Sequence, residues 1–181
     1  MRECRIRRFR EGDRDGMEAF ARALPDHDLL FLGRDLKHPR VIAAWLEAIA
    51  EGWIDSLVAE REGRIVGTAA LVRDPLGWSA HVGEIRLLVA ADERGAGLGR
   101  DLLQAGMAIA GERGLAKLTA TMTPDQRASI ELFETLGFRG EALLRDQVRD
   151  RAGQPHDLLI LAYDAARVAA GHRAYGFGAQ A

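Results

Sequence analysis

Apolar residues recur along the chain with two different spacings, and each change of spacing marks a boundary between predicted elements. Short alternating or continuous apolar runs predict seven strands, at residues 5–9, 56–60, 64–73, 81–89, 117–122, 138–148 and 157–163. Helical spacing predicts four helices, with approximate bounds of 13–23, 39–52, 98–114 and 125–136. The order of strand, two helices, three strands, helix, strand, helix and two strands predicts an α/β fold with a mixed sheet.

Two connections carry predictions of their own. The segment from Leu24 to Pro39 combines turn residues with apolar residues that look exposed, so we predict a loop there. Before the fourth helix, Thr123 is a typical N-cap residue and Pro124 is typical of the first helical position. We therefore predict that this helix begins directly after Thr123.

Composition and charge are those of one ordinary globular domain. The chain has 181 residues, of which 48% are hydrophobic and 29% charged, and its formal net charge is −2. This balance gives no reason to expect binding to nucleic acid or to an acidic membrane surface. We predict a single domain over residues 1–163, followed by a weakly ordered tail over residues 164–181.

The same composition bears on the compartment and on metals. Cys4 is the single cysteine, which excludes an internal disulfide framework and fits a reducing compartment. The charged N-terminus lacks the apolar stretch of a signal peptide, and no run approaches the roughly 18 apolar residues of a transmembrane helix. We therefore expect a cytoplasmic protein. No cluster of His, Cys and Asp residues has metal-ligand spacing, so we expect no metal.

The stretch RGAGLGRDLL, residues 94–103, places three glycines at alternate positions before an apolar helical stripe. A nucleotide P-loop needs Lys and then Ser or Thr after its glycines, but Gly99 is followed here by Arg100 and Asp101. A dinucleotide fingerprint also fails, because its third glycine would fall on Arg100 or Leu102. What remains is a helix start whose free N–H groups face a pyrophosphate, or one that binds no ligand.

Two blocks of the sequence resemble the GNAT acyltransferases, which use acetyl-CoA. The family motif Arg/Gln-x-x-Gly-x-Gly/Ala is matched in full by residues 94–99, RGAGLG. The family block Asn-x-x-Ala-x-x-Leu-Tyr-Glu-x-x-Gly-Phe resembles residues 126–138, QRASIELFETLGF, and a helix and a strand separate the two blocks, as in the family. The resemblance covers residues 5–163. It implies a mixed, mostly antiparallel sheet of about seven strands, splayed between the fourth and fifth strands and flanked by about four helices.

The resemblance also implies which residues hold acetyl-CoA. The glycine loop would bind the pyrophosphate, mainly through backbone N–H groups, and comprises Arg94, Gly95, Ala96, Gly97, Leu98, Gly99 and Arg100. The preceding strand would hydrogen-bond the pantetheine arm as though the arm were another strand, through the backbone of Leu87, Leu88 and Val89. The helix from Asp125 would line the arm and the thiol.

The second block departs from the family at two positions. Many members have a Tyr that protonates the departing CoA thiolate, and this chain has Phe133, which has no proton to give. Gln126 stands where an Asn often contacts the cofactor arm. Either another group protonates the thiolate or it leaves unaided, since a free thiol titrates near ~8.5. A missing donor would lower the rate by ~10²–10⁴-fold without removing activity.

The reaction implied by the resemblance is direct attack of a primary amine on the acetyl thioester, in a ternary complex. A base must take the proton of the amine, and Glu84 is the candidate, on the strand that leads into the glycine loop. Glu84 and Arg86 share one face of that strand, so a salt bridge on the sheet surface is the alternative role. The backbone N–H of Val89 is the candidate donor to the acetyl oxygen as it becomes negative.

The sequence does not specify the acceptor: an aminoglycoside, a polyamine, an amino acid, or a protein lysine or N-terminus is consistent. Trp45 fits the apolar stripe of its helix, whereas Trp53 and Trp78 lie at turns, where either could wall an acceptor pocket under a lid at residues 26–37. His156 could also contact the acceptor, or could lie on a solvated hairpin. A catalytically weak or inactive CoA-binding sensor is the alternative function, motivated by the missing tyrosine, and a homodimer stays open.

Overall fold

The computed structural model describes residues 4–165, which form one seven-stranded sheet with helices on both faces. The strands are β1 (Arg5–Arg8), β2 (Ile54–Arg61), β3 (Arg64–Arg73), β4 (Val82–Val89), β5 (Lys117–Met122), β6 (Arg139–Arg149) and β7 (Pro155–Asp164). The α-helices are α1 (Arg14–Ala23), α2 (Pro39–Ala50), α3 (Leu98–Glu112) and α4 (Arg127–Thr135). The α/β fold predicted from the sequence is confirmed. The tail predicted from residue 164 lies outside the described residues, apart from its first two positions.

The order of strands in the sheet is β1-β2-β3-β4-β5-β7-β6. Neighbouring strands are antiparallel except β4 and β5, which are parallel. The parallel pairing covers only residues 82–84 of β4 against residues 117–119 of β5. Beyond Glu84 and Thr119 the two strands separate, so the predicted splay between the fourth and fifth strands is confirmed, and their ends border an open cleft.

Alternation along β4 assigns its side chains to two cores. Ile85 belongs to the core that α3 and α4 form on one face of the sheet, together with Leu102 and Phe133. Leu88 belongs to the core beneath α1 and α2 on the other face, together with Met17. Burial of apolar side chains in these two cores is the main contribution to the stability of the fold.

The segment before α2 is the first correction to the sequence analysis. Residues Asp26–Leu32 form a 3-10 helix, not a loop, and Gly33 ends it with a φ of 64°. Its apolar side chains are not exposed, because Leu29 and Phe31 are buried in the core beneath α1 and α2. The 3-10 helix therefore covers the sheet at a place that α1 and α2 leave open.

The start of α4 is the second correction. The helix begins at Arg127, with Gln126 as its N-cap residue, and Thr123 is buried instead of capping the helix. The Oε1 atom of Gln126 accepts a hydrogen bond from the backbone N–H of Thr123 at 3.2 Å, which holds the intervening residues in a turn. Within the described part of the chain, each helix is too short or too polar to traverse a bilayer.

Candidate active site

A cleft of about 650 Å³ opens where β4 and β5 separate, and we call it the β4–β5 cleft. Its volume lies in the range typical of ligand sites. It is lined by the end of β4, the glycine loop, the end of β5, α4 and the 3-10 helix, at Ile85, Leu87, Leu88, Val89, Arg94, Gly95, Gly97, Gly99, Arg100, Thr121, Met122, Asp125, Gln126, Arg127, Ala128, Ser129, Leu132, Phe133, His27, Asp28 and Phe31. Most residues predicted to hold the cofactor thus meet in one cleft.

The glycine loop presents backbone to this cleft. Gly95 and Gly97 have φ values of 78° and 89°, a region that residues with a Cβ atom rarely adopt. A Cβ atom at either position would meet no protein atom within 4 Å, so the space beside the loop is open to a ligand. The N–H groups of residues 98–100 precede the first backbone bond of α3, which Asp101 donates to the Gly97 carbonyl at 3.1 Å. Unbonded N–H groups at a helix N-terminus form an anion site.

The two other residues of the loop do not line the cleft. Leu98 is buried in the core beneath α3, and Ala96 is exposed. Gly99 is needed for a different reason than Gly95 and Gly97, because a Cβ atom there would lie 3.2 Å from Cδ2 of Leu132 on α4. Gly99 therefore lets α3 and α4 approach each other at the floor of the cleft.

Arg94 anchors the loop to two neighbouring elements. Its Nη2 atom lies 2.6 Å from Oδ2 of Asp28 on the 3-10 helix, in an ion pair. Its Nε and Nη2 atoms also donate to the carbonyl of Val89, at 3.2 and 3.1 Å. Since the guanidinium has these partners already, its first effect is to position the loop over the end of β4.

The backbone of β4 offers hydrogen bonds to the cleft only at alternate residues. Leu88 pairs with Thr68, and Ala90, two residues later, donates to the Val66 carbonyl of the neighbouring strand β3. In an antiparallel ladder, residues two apart direct their N–H and C=O groups to the same side. The backbone of Leu88 therefore faces β3, while that of Leu87 and Val89 faces the cleft. This corrects the sequence analysis, in which all three residues were expected to bind the pantetheine arm through their backbone.

The side of the cleft formed by α4 contains the two departures from the family block. Phe133 is buried, with its ring 5.0 Å from that of Phe138 in an edge-on arrangement. Gln126 lines the cleft, although its Oε1 atom is engaged by the backbone of Thr123. Ser129, one helical turn before Phe133, lines the cleft with a half-buried side chain, and the sequence analysis did not identify it.

His27 is a second cleft residue that the sequence analysis missed. Its Nε2 atom lies 2.8 Å from Oδ2 of Asp125 and 3.4 Å from Oγ1 of Thr123. The hydrogen bond from Thr123 and the nearby His27 hold the pKa of Asp125 below its usual range. Nothing in the local sequence indicates this cluster, because 98 residues separate His27 from Asp125. It is the one histidine among the described residues that line the cleft.

Glu84 lies just before the splay, outside the lining of the β4–β5 cleft. Its side chain is on the α1 and α2 face, 26% exposed, and its Oε2 atom accepts from Nη2 of Arg86 at 2.8 Å. The salt bridge considered in the sequence analysis is therefore present. The role of Glu84 as base stays a prediction.

A second cleft of about 460 Å³ lies between α2 and the sheet, and we call it the α2 cleft. Trp45 and Trp53 line it, and Leu88 lines both clefts, so the two meet at β4. Trp78 lines neither cleft and is fully exposed, at 101% of its reference area, because it sits in the turn before β4. The suggestion that Trp78 walls an acceptor pocket is therefore wrong.

The hairpin of β6 and β7 lies beside the 3-10 helix. His156 lines neither cleft, and its Nε2 atom lies 3.1 Å from Oδ2 of Asp150 at the turn. Its ring also packs edge-on against that of His27, with centroids 5.4 Å apart. Within residues 4–165, no three His, Cys, Asp or Glu side chains gather closely enough to hold a metal ion.

A seven-stranded sheet whose β4 and β5 separate beside a glycine-rich helix start places the chain in the α/β class, with an open cleft in the middle of the sheet. Residues 19–138, more than half of the chain, match the family described as Acetyltransferase (GNAT) family. The chain therefore belongs to the GNAT acetyltransferase family.

Individual relatives agree with this assignment. A mycothiol acetyltransferase from Thermobispora bispora is 35% identical over 94 aligned positions, and the match covers 49% of this chain and 32% of that protein. The chain thus spans about a third of the length of that curated relative. The crystal structure of a ribosomal-protein-alanine N-acetyltransferase from Brucella melitensis is 29% identical, with a TM-score of 0.76, over 88% of this chain and 99% of that one. The structure of yncA from Salmonella typhimurium, with its cofactor acetyl-CoA, shares the fold at 23% identity and a TM-score of 0.75, over 90% and 94% of the two chains.

Proposed function

We propose that this protein is an N-acetyltransferase that transfers the acetyl group of acetyl-CoA to a primary amine, by direct attack in a ternary complex. The observation that carries the proposal is the β4–β5 cleft with a positive-φ glycine loop at its mouth. Family membership supports acetyl transfer in general, and two relatives with TM-scores of 0.76 and 0.75 share the fold.

The residues of the cleft fit acetyl-CoA in its extended form. The N–H groups from Gly95 to Arg100 would hold the pyrophosphate, in the open space where Gly95 and Gly97 lack a Cβ atom. The backbone N–H and C=O of Leu87, which face the cleft, would pair with the amides of the pantetheine arm. The Val89 carbonyl already accepts from Arg94, so Val89 would contribute its N–H alone. Gln126 and Phe133 would line the far side of the arm.

The chemistry requires little more than positioning and one proton acceptor. The amine nitrogen attacks the thioester carbonyl, a C–N bond forms, and the C–S bond breaks with its electron pair going to sulfur. Glu84 takes the proton that the amine loses, and the Val89 N–H stabilises the negative charge on the acetyl oxygen. The products are an N-acetyl amide and CoA.

Departure of the thiolate is the step for which the family's usual donor is missing. Phe133 has no acidic proton, and a free thiol titrates near ~8.5, so the sulfur leaves without assistance at a reduced rate or receives a proton from elsewhere. We assign this proton to His27, because it is the one histidine among the described residues that line the cleft. Asp125, 2.8 Å from its Nε2 atom, would orient the ring.

The proposal is tested by following free CoA with a thiol reagent while acetyl-CoA is incubated with a panel of amines. The panel comprises an aminoglycoside, a polyamine, amino acids and a peptide with a free N-terminus. Turnover that saturates in both substrates, with an N-acetyl product seen by mass spectrometry, would support the proposal. Matched binding measurements of acetyl-CoA by calorimetry report on the cofactor site alone.

A CoA-binding sensor is the second candidate function, and Phe133 is the observation that favours it. A buried phenylalanine at the proton-donor position preserves the shape of the cleft and removes one part of the chemistry. In that case acetyl-CoA would bind tightly and no amine, peptide included, would be acetylated. Such a result would refute the enzyme proposal and support the cofactor-binding site.

A further inference from the structure

The α2 cleft has the apolar walls of a pocket for a small organic group. It lies between α2 and the exposed parts of β3 and β4, and its apolar lining includes Leu36, Val41, Trp45, Val72 and Leu88. The ring of Trp45 stacks on that of Phe9, with centroids 6.0 Å apart, which fixes one wall. Because Leu88 lines both clefts, a molecule in the α2 cleft would lie beside the proposed acetyl group across β4.

Three buried donors in this lining have no hydrogen-bond acceptor among the described residues, and one of them, Nε of Arg73, lies 3.5 Å from Asp55 in an ion pair. The Nε1 atom of Trp45 and the Nε atom of Arg86 are both buried, and neither has a partner among the described residues. A buried donor without a partner costs about 1–3 kcal/mol. An oxygen-bearing, negatively charged group of a ligand is a suitable partner for such a donor.

Charge in the α2 cleft also favours an anion. The charged side chains that line it are Arg34, Arg73, Arg86 and Glu51. Arg73 already pairs with Asp55 at 3.5 Å, and Arg34 lies exposed at the rim. Arg86 is half-buried and lacks an ion-pair partner other than Glu84 among the described residues: one of its terminal nitrogens lies on Glu84, and its Nε atom has no hydrogen-bond acceptor in that part of the chain.

Glu84 and Arg86 together form a pair of opposite charges matched to a zwitterion. They lie two residues apart on the same face of β4, which places their Cα atoms roughly 6–7 Å apart. The carboxylate of an α-amino acid would bind Arg86 in the α2 cleft, and its ammonium group would lie towards Glu84, the proposed base, which lines neither cleft but pairs with Arg86 at 2.8 Å. The side chain of the amino acid would occupy the apolar walls of the α2 cleft.

We propose that the acceptor is an α-amino acid with an apolar or aromatic side chain, held in the α2 cleft by Arg86 and Trp45 through its carboxylate. This inference rests on the proposed N-acetyltransferase function. It narrows the acceptor to one chemical class and makes Arg86 a specificity-determining residue.

Matched acceptors with and without the carboxylate provide the test. Initial rates of CoA release are measured for L-phenylalanine and L-methionine, and for phenethylamine and L-phenylalaninamide, which have no carboxylate. We expect kcat/KM for phenylalanine to exceed that of phenethylamine at least tenfold. Binding of phenylalanine to the CoA-saturated protein is measured in parallel by calorimetry, independently of turnover.

Three variants locate the recognition. Arg86→Gln should raise KM for phenylalanine at least tenfold and change KM for phenethylamine less than twofold. Trp45→Phe keeps the aromatic wall, removes the Nε1 donor, and should raise KM for phenylalanine severalfold. Arg22→Gln, on the exposed face of α1 in a pair with Glu18, removes an arginine outside both clefts and should change neither.

The outcomes separate this inference from the proposed function. Acetylation of phenethylamine or of a peptide alone, with Arg86→Gln acting equally on all acceptors, would overturn the amino-acid acceptor and leave N-acetyl transfer standing. Calorimetric binding of phenylalanine that is lost in Arg86→Gln, without turnover of any amine, would support the binding site and refute acetyl transfer. Absence of both calorimetric binding and turnover with either amino acid would overturn the inference.

Discussion

Replacement of Gly97 by alanine tests the glycine loop, because the structure gives two separate reasons for a glycine at this position. The first reason is conformational: Gly97 has a φ of 89°, and a residue with a Cβ atom in the left-handed region costs about 1–2 kcal/mol. The second is spatial, because the new methyl group would meet no protein atom within 4 Å and would enter the space that we assign to the pyrophosphate. Gly97→Ala should therefore destabilise the fold modestly and weaken CoA binding strongly.

Gly114, just beyond the C-terminal end of α3, provides a matched control. It follows α3 with a φ of 68°, and a Cβ atom there would also meet no protein atom within 4 Å. Gly114→Ala should cost the same ~1–2 kcal/mol of unfolding free energy in urea and leave the dissociation constant of CoA unchanged. Gly97→Ala should raise that constant at least tenfold by calorimetry, equivalent to ~1.4 kcal/mol of binding free energy. Two variants with equal unfolding free energies and equal CoA affinities would refute the pyrophosphate role of the loop.

Four further predictions concern catalysis and stability. Glu84→Gln should lower kcat/KM roughly tenfold or more near neutral pH, since the amine loses its proton acceptor. His27→Asn should lower kcat by ~10²-fold, as expected for loss of a proton donor. Burial raises the pKa of Asp55, but hydrogen bonds from Arg113 and Arg8 outweigh burial and keep that pKa below its usual range. Asp55→Asn removes this charged partner and should cost ~1–3 kcal/mol of unfolding free energy in urea. The hydrogen bond from Arg7 lowers the pKa of Asp13 in the folded state. The stability that this carboxylate contributes is therefore fully present above its ordinary pKa of ~3.9 and is lost as pH falls below that value. Asp13→Asn should make the loss of stability below about pH 4 less steep.

Each of these predictions has an outcome that would contradict it. A pH–rate profile unchanged by Glu84→Gln would exclude Glu84 as the base, and an unchanged kcat in His27→Asn would mean that the thiolate leaves without this donor. Asp92, which pairs with Arg64 on the exposed surface, is the control for Asp55, and equal destabilisation by both substitutions would remove the special role of the buried carboxylate. An acid limb that stays as steep in Asp13→Asn as in the parent chain would mean that other carboxylates dominate acid unfolding.

Local sequence patterns were sufficient to predict the elements whose conformation depends on residues close in the chain. The bounds predicted for β3 and β5 agree with the structure, and α2 begins at Pro39 as predicted, since its proline fits the first helical turn. The predicted alternation of β4 is also confirmed, with Ile85 and Leu88 in different cores. The 3-10 helix was missed because its turn residues indicate a loop, whereas burial of Leu29 against distant elements decides its shape.

The sequence by itself determined the glycine loop, the family and the faces of β4, since positive φ, helix capping and strand alternation depend on residues a few positions apart. Tertiary structure alone decided that Arg94 binds Asp28, that His27 meets Asp125, and that the backbone of Leu88 faces β3 instead of the cleft. These contacts join residues far apart in the chain, or depend on strand register, and both are set by the packing of the two cores. The positions of the candidate catalytic groups therefore follow from the fold, whereas the sequence alone shows which types of side chain are present.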